Sequence, residues 1–265
     1  MTLKDRDDGE EDGIPNDITH CCDDPGSSPN TLLLDWKLRA GTGRVIPTRV
    51  YPTGSRPTVG VSFLRPDREE YREVLDSEWG AIIIRTDGAC VGNGQANPRA
   101  GWAFCYGDPN RPHIISGRLE AKGPFGNDSP QTSNRAELRA VLAALRYQKW
   151  MLEVVRSLVI TTDSEYVVAG LAEWVKAWSS NDWRTSGNRP VKNRDLWKAI
   201  FGEVERLHQL GTAVKLWKIP REENTVADAA AKAAANLPCP RKFTDIGGMM
   251  DPQKSLADPK RPPVI

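Results

Sequence analysis

Apolar residues form short strand-like runs over residues 81–119 of this 265-residue chain. The run at 81–86 is rich in β-branched side chains and has the length of a buried central strand. Shorter strands are predicted at 101–106 and 112–119, because the Gly- and Pro-containing segment 107–110 between them is typical of a turn. Together these runs predict an antiparallel meander of three strands.

A helical period follows the meander. Residues 134–150 are mainly helix formers, and Glu137, Val141 and Ala144 fall on one face of the predicted helix. The order β-β-β-α-β-α-α-β-α predicts one α/β domain, whose five-stranded mixed sheet has three antiparallel strands and two parallel additions and is flanked by helices. The remaining strands are predicted at 157–162 and 212–219, and the remaining helices at two short positions between 164 and 179, at 195–210 and at 224–236.

The two flanks of this domain differ from it in composition. Residues 1–24 carry nine acidic side chains against Lys4 and Arg6, and such a segment buries too little apolar surface to offset its ordering entropy. We expect residues 1–78 to form an acidic, disordered N-terminal region whose irregular extension, from 25 onward, could add a strand or a docking segment. Residues 238–265 hold six prolines and several charges, which predicts a linker or a disordered tail. The folded domain is therefore expected at 79–237.

Composition narrows the class of protein. The net charge of +1 says little about partners, but an acidic N-terminus without an apolar run argues against a signal or transit peptide. No apolar stretch approaches the roughly 20 residues that span a bilayer. The five cysteines show no zinc-binding spacing, and their odd number favours a reducing compartment. We expect an intracellular, monomeric protein of the nucleus or cytoplasm that is neither secreted nor bound to a membrane.

Four acidic residues stand where a purely structural role explains them poorly. Asp87 and Asp163 each end a predicted apolar strand, and the carboxyl ends of parallel strands gather at one edge of a sheet. Glu137 lies on the apolar face of its helix, and Asp228 lies among alanines on the last helix. Taken singly, Asp163 could be a helix cap and Asp228 a solvated side chain. Taken together, the four predict a cluster of carboxylates.

Such a cluster is costly unless the pKa values of its acids shift or cations bind it. Burying an unpaired carboxylate costs several kcal/mol, and like charges a few ångströms apart repel one another. Carboxylate and water oxygens suit Mg²⁺ or Mn²⁺, and two such ions about 4 Å apart stabilise the attacking and leaving oxygens of a phosphoryl transfer. The lack of a His/Cys cluster argues against zinc.

The segments that carry these acids resemble the ribonuclease H type 1 family. Similarity to its four acid-bearing motifs runs in order through Thr-Asp-Gly-Ala-Cys-Val-Gly-Asn-Gly at 86–94, Thr-Ser-Asn-Arg-Ala-Glu-Leu at 132–138, Thr-Asp-Ser-Glu-Tyr-Val at 162–167 and Asn-Thr-Val-Ala-Asp at 224–228. The resemblance covers about residues 81–236 and implies an RNase H-like fold. A fifth segment, 174–197, interleaves tryptophans with basic residues and is similar to the basic protrusion of the cellular enzymes.

The resemblance also implies an activity and a set of site residues. Its members hydrolyse the RNA strand of RNA–DNA hybrids and leave 5′-phosphate and 3′-hydroxyl ends. By resemblance, two Mg²⁺ or Mn²⁺ ions are held by the catalytic residues Asp87, Glu137, Asp163 and Asp228. Contacts to the RNA 2′-hydroxyls are implied for Cys90, Asn93, Ser133 and Asn134, contacts to a DNA phosphate for Thr132 and Arg135, and further nucleic-acid contacts for Trp183, Lys192, Asn193 and Arg194. We expect Trp174 and Trp197 to lie in the core.

One loop departs from the family pattern. Cellular members carry a glycine-rich loop with a histidine before the fourth acid, whereas here Pro220 is followed by Arg221 and the chain soon reaches Asn224 without a histidine. This absence predicts slower turnover and leaves the carboxylates in place. Glu165 also stands where family members commonly have an amide side chain. This difference weakens the substrate contact that the amide would make.

Three alternatives remain open. The domain could be a catalytically weak or inactive module that binds hybrids or RNA, although a mere binder has no use for four crowded carboxylates. It could also be an RNase H domain derived from a retroelement. A DNA nuclease or integrase of the same superfamily is less favoured, because Asn93 and Asn134 indicate contacts to RNA.

Overall fold

The computed structural model describes residues 37–50, 59–65, 70–75, 80–147, 150 and 155–246. The helix Glu165–Ala169 continues through a π turn, Gly170–Trp174, into the helix Val175–Ser180, and a short 3-10 turn, Arg221–Glu223, precedes the helix Thr225–Ala234. The strands are β1 (Thr48–Arg49), β2 (Val59–Arg65), β3 (Glu70–Leu75), β4 (Ala81–Val91), β5 (Arg99–Asp108), β6 (Arg111–Arg118), β7 (Ser157–Thr162) and β8 (Ala213–Lys218). The helices are α1 (Ser133–Arg146), α2 (Glu165–Ala169), α3 (Val175–Ser180), α4 (Arg194–Gln209) and α5 (Thr225–Ala234).

The long strand β4 organises the sheet, because its two halves pair with different strands. Its first half pairs in parallel with β7, with Ala81 opposite Ser157, and β7 pairs in parallel with β8. Its second half, from Arg85 onward, pairs antiparallel with β5, and β5 pairs with β6. The predicted α/β class and the five predicted strands are therefore confirmed.

The predicted strand count of five was too low, since the described sheet has eight strands. Strands β2 and β3 form an antiparallel hairpin that meets the start of β4, with Val74 opposite Ile82. The third strand beyond the predicted five, β1, pairs in parallel with β8 over only two residues. Strands this short, and a hairpin of mixed polar and apolar residues, leave little periodic signal in a sequence.

Helix α1 lies directly across β4 because Gly88 places no side chain between them. A Cβ on Gly88 would lie 2.0 Å from the backbone nitrogen of Glu137 and 2.3 Å from the carbonyl carbon of Ala136. Gly101 has the same effect for α5 on β5, since its Cβ would lie 2.4 Å from the carbonyl oxygen of Ala231. These two contacts bring α1 and α5 against the strands that carry and flank Asp87.

The segment 37–50 docks on α4 and β8. The backbone nitrogen of Gly41 donates to the carbonyl of Lys198 at 2.8 Å, and that of Gly43 donates to the Glu205 carboxylate at 2.8 Å. The segment therefore supplies both a short strand and a docking contact to the domain. The disorder predicted for residues 1–24 concerns residues outside the described chain.

The C-terminal segment 238–246 packs on α1, although a linker or a disordered tail was predicted for residues 238–265. The guanidinium of Arg139 lies over the Phe243 ring and donates to the carbonyl of Thr244 at 2.8 Å. Arg146 pairs with Asp245. Because buried guanidinium groups need partners, this segment satisfies charges that α1 brings into the core.

Helix α4 covers the same side of α1. The side chains of Leu196, Trp197, Ile200 and Phe201 are buried in the main core cluster with the apolar face of α1. Of the helices that the structure describes, none is both long enough and apolar enough to cross a bilayer.

Candidate active site

One cavity collects the four predicted carboxylates from four separate elements. Asp87 lies on β4, Glu137 on α1, Asp163 directly after β7 and Asp228 on α5, and all four line the same cavity. The topology explains this arrangement, because β4 and β7 are parallel neighbours and the two helices pack on β4 and β5. Further lining residues include Cys90, Asn93, Ser133, Arg221, Lys232 and Asn236.

Asp87 is the most buried of the four, with 6% of its surface exposed. Burial is the main cause that raises the pKa of its carboxyl, from an ordinary value of 3.8 to about 7. The Asp163 carboxylate raises this pKa further, with smaller contributions from Asp228 and Glu137, while the backbone N–H of Gly88 lowers it. The carboxylates are therefore close enough to repel one another.

Glu137 lies in the same electrostatic environment. Burial raises the pKa of its carboxyl, and the Asp163 carboxylate adds to this effect. The hydroxyl of Ser164 donates a short hydrogen bond to Glu137 Oε2, which lowers the pKa. Ser164 also caps α2 by accepting from the backbone nitrogen of Val167 at 3.3 Å. One serine thus fixes both the helix start and the Glu137 carboxylate.

Asn224 positions Asp163 and was missed by the sequence analysis as a site residue. It is buried just before α5, and its Nδ2 donates to Asp163 Oδ1 and to the carbonyl of Thr86, both at 3.0 Å. An Asn before a helix is ordinarily interpreted as a cap, and only the packed structure shows this one reaching across to two strands.

Asp228 is bound by basic side chains that the sequence analysis also missed. Its Oδ2 accepts from Lys232 Nζ at 2.6 Å, and its Oδ1 lies 3.4 Å from Arg221 Nη2. The pairing of Lys232 could have been anticipated, since residues four apart on a helix face one another.

The chemistry of this donor set fits divalent cations. Each carboxylate has a separate hydrogen-bonding partner, and across the described ranges no three acidic, His or Cys side chains converge as a ready ligand set. The available donors are nevertheless all carboxylate oxygens, which Mg²⁺ and Mn²⁺ prefer. Burial and mutual repulsion raise the pKa of Asp87, and a bound cation would offset that cost.

Several residues predicted to contact nucleic acid lie beside the carboxylates. Cys90, Asn93 and Ser133 line the same cavity, and Asn93 Nδ2 lies 3.4 Å from Ser133 Oγ. Asn134 is exposed at the start of α1, next to Ser133. Thr132 caps α1 by accepting from the backbone nitrogen of Arg135 at 3.3 Å. The structure therefore brings this group together with the acids.

The comparisons with known proteins agree with this geometry. Residues 80–236 match the RNase H family. This chain belongs to the RNase H family. The ribonuclease H of Treponema pallidum is 37% identical over 131 residues, which cover 48% of this chain and 75% of that protein. The ribonuclease HI of Neisseria meningitidis serogroup A is 35% identical over 158 residues, which cover 59% of this chain and 97% of that protein.

The type 1 resemblance and the assignment as an RNase H enzyme are thereby confirmed. Among solved structures, the type 1 enzyme LC9-RNase H1 is 27% identical with a TM-score of 0.41, over 59% of this chain and 72% of that one.

The basic segment of this RNase H lies outside the carboxylate cavity. Lys192 is exposed, and Arg194 is 42% exposed with Asp182 at 3.7 Å. Asn193, directly before α4, has a left-handed conformation (φ 58°), and its Nδ2 donates to the Tyr166 hydroxyl at 3.2 Å. Lys192 and Arg194 are therefore accessible to a charged ligand.

Two of the residues predicted to contact nucleic acid, Arg135 and Trp183, are buried in the structure. Arg135 is 2% exposed, and its guanidinium donates to both Asp195 oxygens and to Ser129, so it is not available to a DNA phosphate. Trp183 is 5% exposed and contacts the Phe201 ring in the core. Arg135 pairs with the Asp195 carboxylate in the interior, and Trp183 fills part of the core. Composition alone does not distinguish such interior roles from contacts at the surface.

Trp174 and Trp197 were both expected to lie in the core, and the structure agrees for Trp197 only. Trp197 is fully buried as predicted, whereas Trp174 is 40% exposed. Trp174 therefore presents an aromatic surface to solvent close to Tyr166, whose ring centroid is 5.9 Å away.

We predict that Asp87→Asn stabilises the protein at pH 8 when divalent ions are chelated. Because the pKa of Asp87 is raised from 3.8 to about 7 in the folded state, its ionisation opposes folding; this penalty is absent below about pH 4, grows as the pH rises, and is complete above pH 7. The gain at pH 8 is up to about 4 kcal/mol.

Urea unfolding in EDTA at pH 4 and at pH 8 measures this difference. Glu222→Gln is the matched control, because Glu222 is an exposed acid that does not line the cavity. Equal stability of wild type and Asp87→Asn at pH 8 would show that Asp87 is not under electrostatic strain.

Proposed function

We propose that this RNase H hydrolyses the RNA strand of RNA–DNA hybrids by a two-metal-ion mechanism that leaves 5′-phosphate and 3′-hydroxyl ends. The observation that carries the proposal is the single cavity where Asp87, Glu137, Asp163 and Asp228 meet. Its other support is the family, whose relatives at 35–40% identity are named ribonuclease H or HI.

The four carboxylates would hold two Mg²⁺ or Mn²⁺ ions. When bound, such ions neutralise developing negative charge on phosphate oxygens and favour attack by water. The chain's own contribution is to fix the donor oxygens: the Asn224 amide holds Asp163, and the Ser164 hydroxyl holds Glu137. Asp87 is restrained by its place within β4. Preorganised donors of this kind lose little freedom when substrate and ions arrive.

Selection of RNA would come from the polar residues beside the acids. Cys90, Asn93, Ser133 and Asn134 offer hydrogen-bonding groups next to the carboxylates, where the scissile strand must lie. The 2′-hydroxyl is the group that distinguishes RNA from DNA, and it both donates and accepts hydrogen bonds. Thr132 and Asn193 could add neutral polar contacts, and the exposed Lys192 and Arg194 would contact phosphates of the bound hybrid.

A module that binds hybrids without cleaving them is the second candidate. The raised pKa of Asp87 argues against it, because the crowding of four acids destabilises the free protein and a binder gains nothing from it. No observation favours a retroelement origin over a cellular one.

We predict that the wild type cleaves a labelled RNA–DNA hybrid in Mg²⁺ or Mn²⁺ and that Asp87→Asn lowers the rate at least about a hundredfold. Glu222→Gln should leave the rate unchanged, because Glu222 lies outside the cavity lining. Ligation and phosphatase treatment of the products identify the 5′-phosphate and 3′-hydroxyl ends. A wild type that binds the hybrid but is as inert as Asp87→Asn would support the binding module instead.

We predict that Lys192→Ala combined with Arg194→Ala weakens hybrid binding and flattens its salt dependence. Each lost phosphate contact should reduce the slope of log affinity against log salt by roughly 0.9. Fluorescence anisotropy at several salt concentrations gives this slope. Arg241→Ala with Lys242→Ala is the matched control, since it removes the same charge from exposed positions in the C-terminal segment. A slope unchanged from wild type would exclude Lys192 and Arg194 from the interface.

A further inference from the structure

Asp228 differs from the other three carboxylates in the charge of its hydrogen-bonding partner. The hydrogen bonds described above for Asp87, Glu137 and Asp163 come from neutral groups, namely a backbone N–H, a hydroxyl and an amide. Asp228 instead receives the ammonium of Lys232, whose Nζ lies 2.6 Å from its Oδ2. A neutral donor leaves the charge of a carboxylate available to a cation, whereas an ammonium already neutralises it.

The placement of Lys232 follows from helix geometry. Lys232 lies one turn after Asp228 on α5, so both side chains project from the same face of the helix. Both line the carboxylate cavity, and so does Asn236 one turn further on. Arg221 approaches the second oxygen of Asp228 at 3.4 Å from the preceding turn. The fourth carboxylate is thus the point where positive charge from the chain enters the cavity.

We propose that Lys232 is a built-in counter-ion that competes with a divalent cation for Asp228 and so weakens ion binding at this carboxylate. The proposal rests on the proposed function, because it takes Asp228 to be an ion ligand. An ammonium and a divalent cation on the same carboxylate repel one another. An ion therefore binds Asp228 more tightly when the Lys232 ammonium is absent or displaced.

The strength of the pair allows this exchange. Lys232 is 56% exposed and Asp228 is 21% exposed, and an exposed pair four residues apart on a helix is worth only about a factor of two in an equilibrium constant. Repulsion between the nearby ammonium and the ion adds to this factor. We expect removal of the Lys232 charge to tighten ion binding by roughly three- to tenfold.

The same lysine has the opposite effect on the ion-free protein. Without ions, its ammonium offsets part of the repulsion among the four acids, so Lys232→Met should lower the unfolding midpoint in EDTA while it tightens ion binding. Opposite signs in the two measurements distinguish a counter-ion from a residue that merely supports the fold, whose loss would weaken both.

Titration calorimetry with Mn²⁺ tests the proposal on the full chain. Lys232→Met should bind Mn²⁺ roughly three- to tenfold more tightly than wild type, and Lys232→Arg, which keeps the charge, should stay within about twofold. Lys122→Met is the matched control, because Lys122 Nζ also lies 2.6 Å from an aspartate oxygen, that of Asp128, in an exposed pair outside the cavity. It should bind Mn²⁺ as wild type does.

A second background assigns the effect to Asp228. In Asp228→Asn, the further change Lys232→Met should tighten Mn²⁺ binding less than it does in the wild type, because only the repulsion between the ammonium and the ion remains once the carboxylate is gone. If the wild type binds Mn²⁺ and Lys232→Met binds it with the same affinity, the proposal that Lys232 competes for Asp228 is overturned. A wild type that binds no Mn²⁺ at all would instead overturn the proposed function on which this inference rests.

Discussion

The site depends on the contact between α1 and β4 at Gly88. With no side chain at Gly88, the helix backbone comes close enough for Glu137 to face the cavity that Asp87 enters from the neighbouring position. The same close packing buries both carboxylates and raises the pKa of each. The protein thereby holds like charges together, at a cost in stability that a divalent cation relieves.

Around this contact, the chain satisfies the remaining charges in two ways. Deep in the fold, Arg135 pairs with Asp195 and Arg139 with Glu120, so the buried guanidinium groups of α1 are satisfied within the protein. At the cavity, Asp228 pairs with Lys232, whose side chain is 56% exposed. The first kind of pair fixes the helix against its neighbours, whereas the second leaves a carboxylate that can exchange partners.

The fold class and the acids Asp87 and Glu137 could be predicted from local sequence signals, whereas Asp163 and Asp228 stood out only as members of the set of four. The apolar run at the start of β4 is followed directly by the acidic residue Asp87, and Glu137 interrupts an otherwise apolar helix face. The burial of Arg135 and Trp183 was not predicted, because a basic or aromatic side chain has the same local signal in the core as at a surface. The roles of Asn224 and of the segment 238–246 depend on partners about 60 and 100 residues away, which no local pattern shows.

By the proposed function, the four carboxylates hold two divalent ions. Anomalous diffraction from crystals soaked in Mn²⁺ tests it most directly, because it locates the ions without reference to activity. We predict two peaks in the cavity about 4 Å apart, with oxygens of Asp87, Glu137, Asp163 and Asp228 as ligands. Manganese bound elsewhere, with no contact to Asp87 in a crystal whose cavity is open to solvent, would contradict the account.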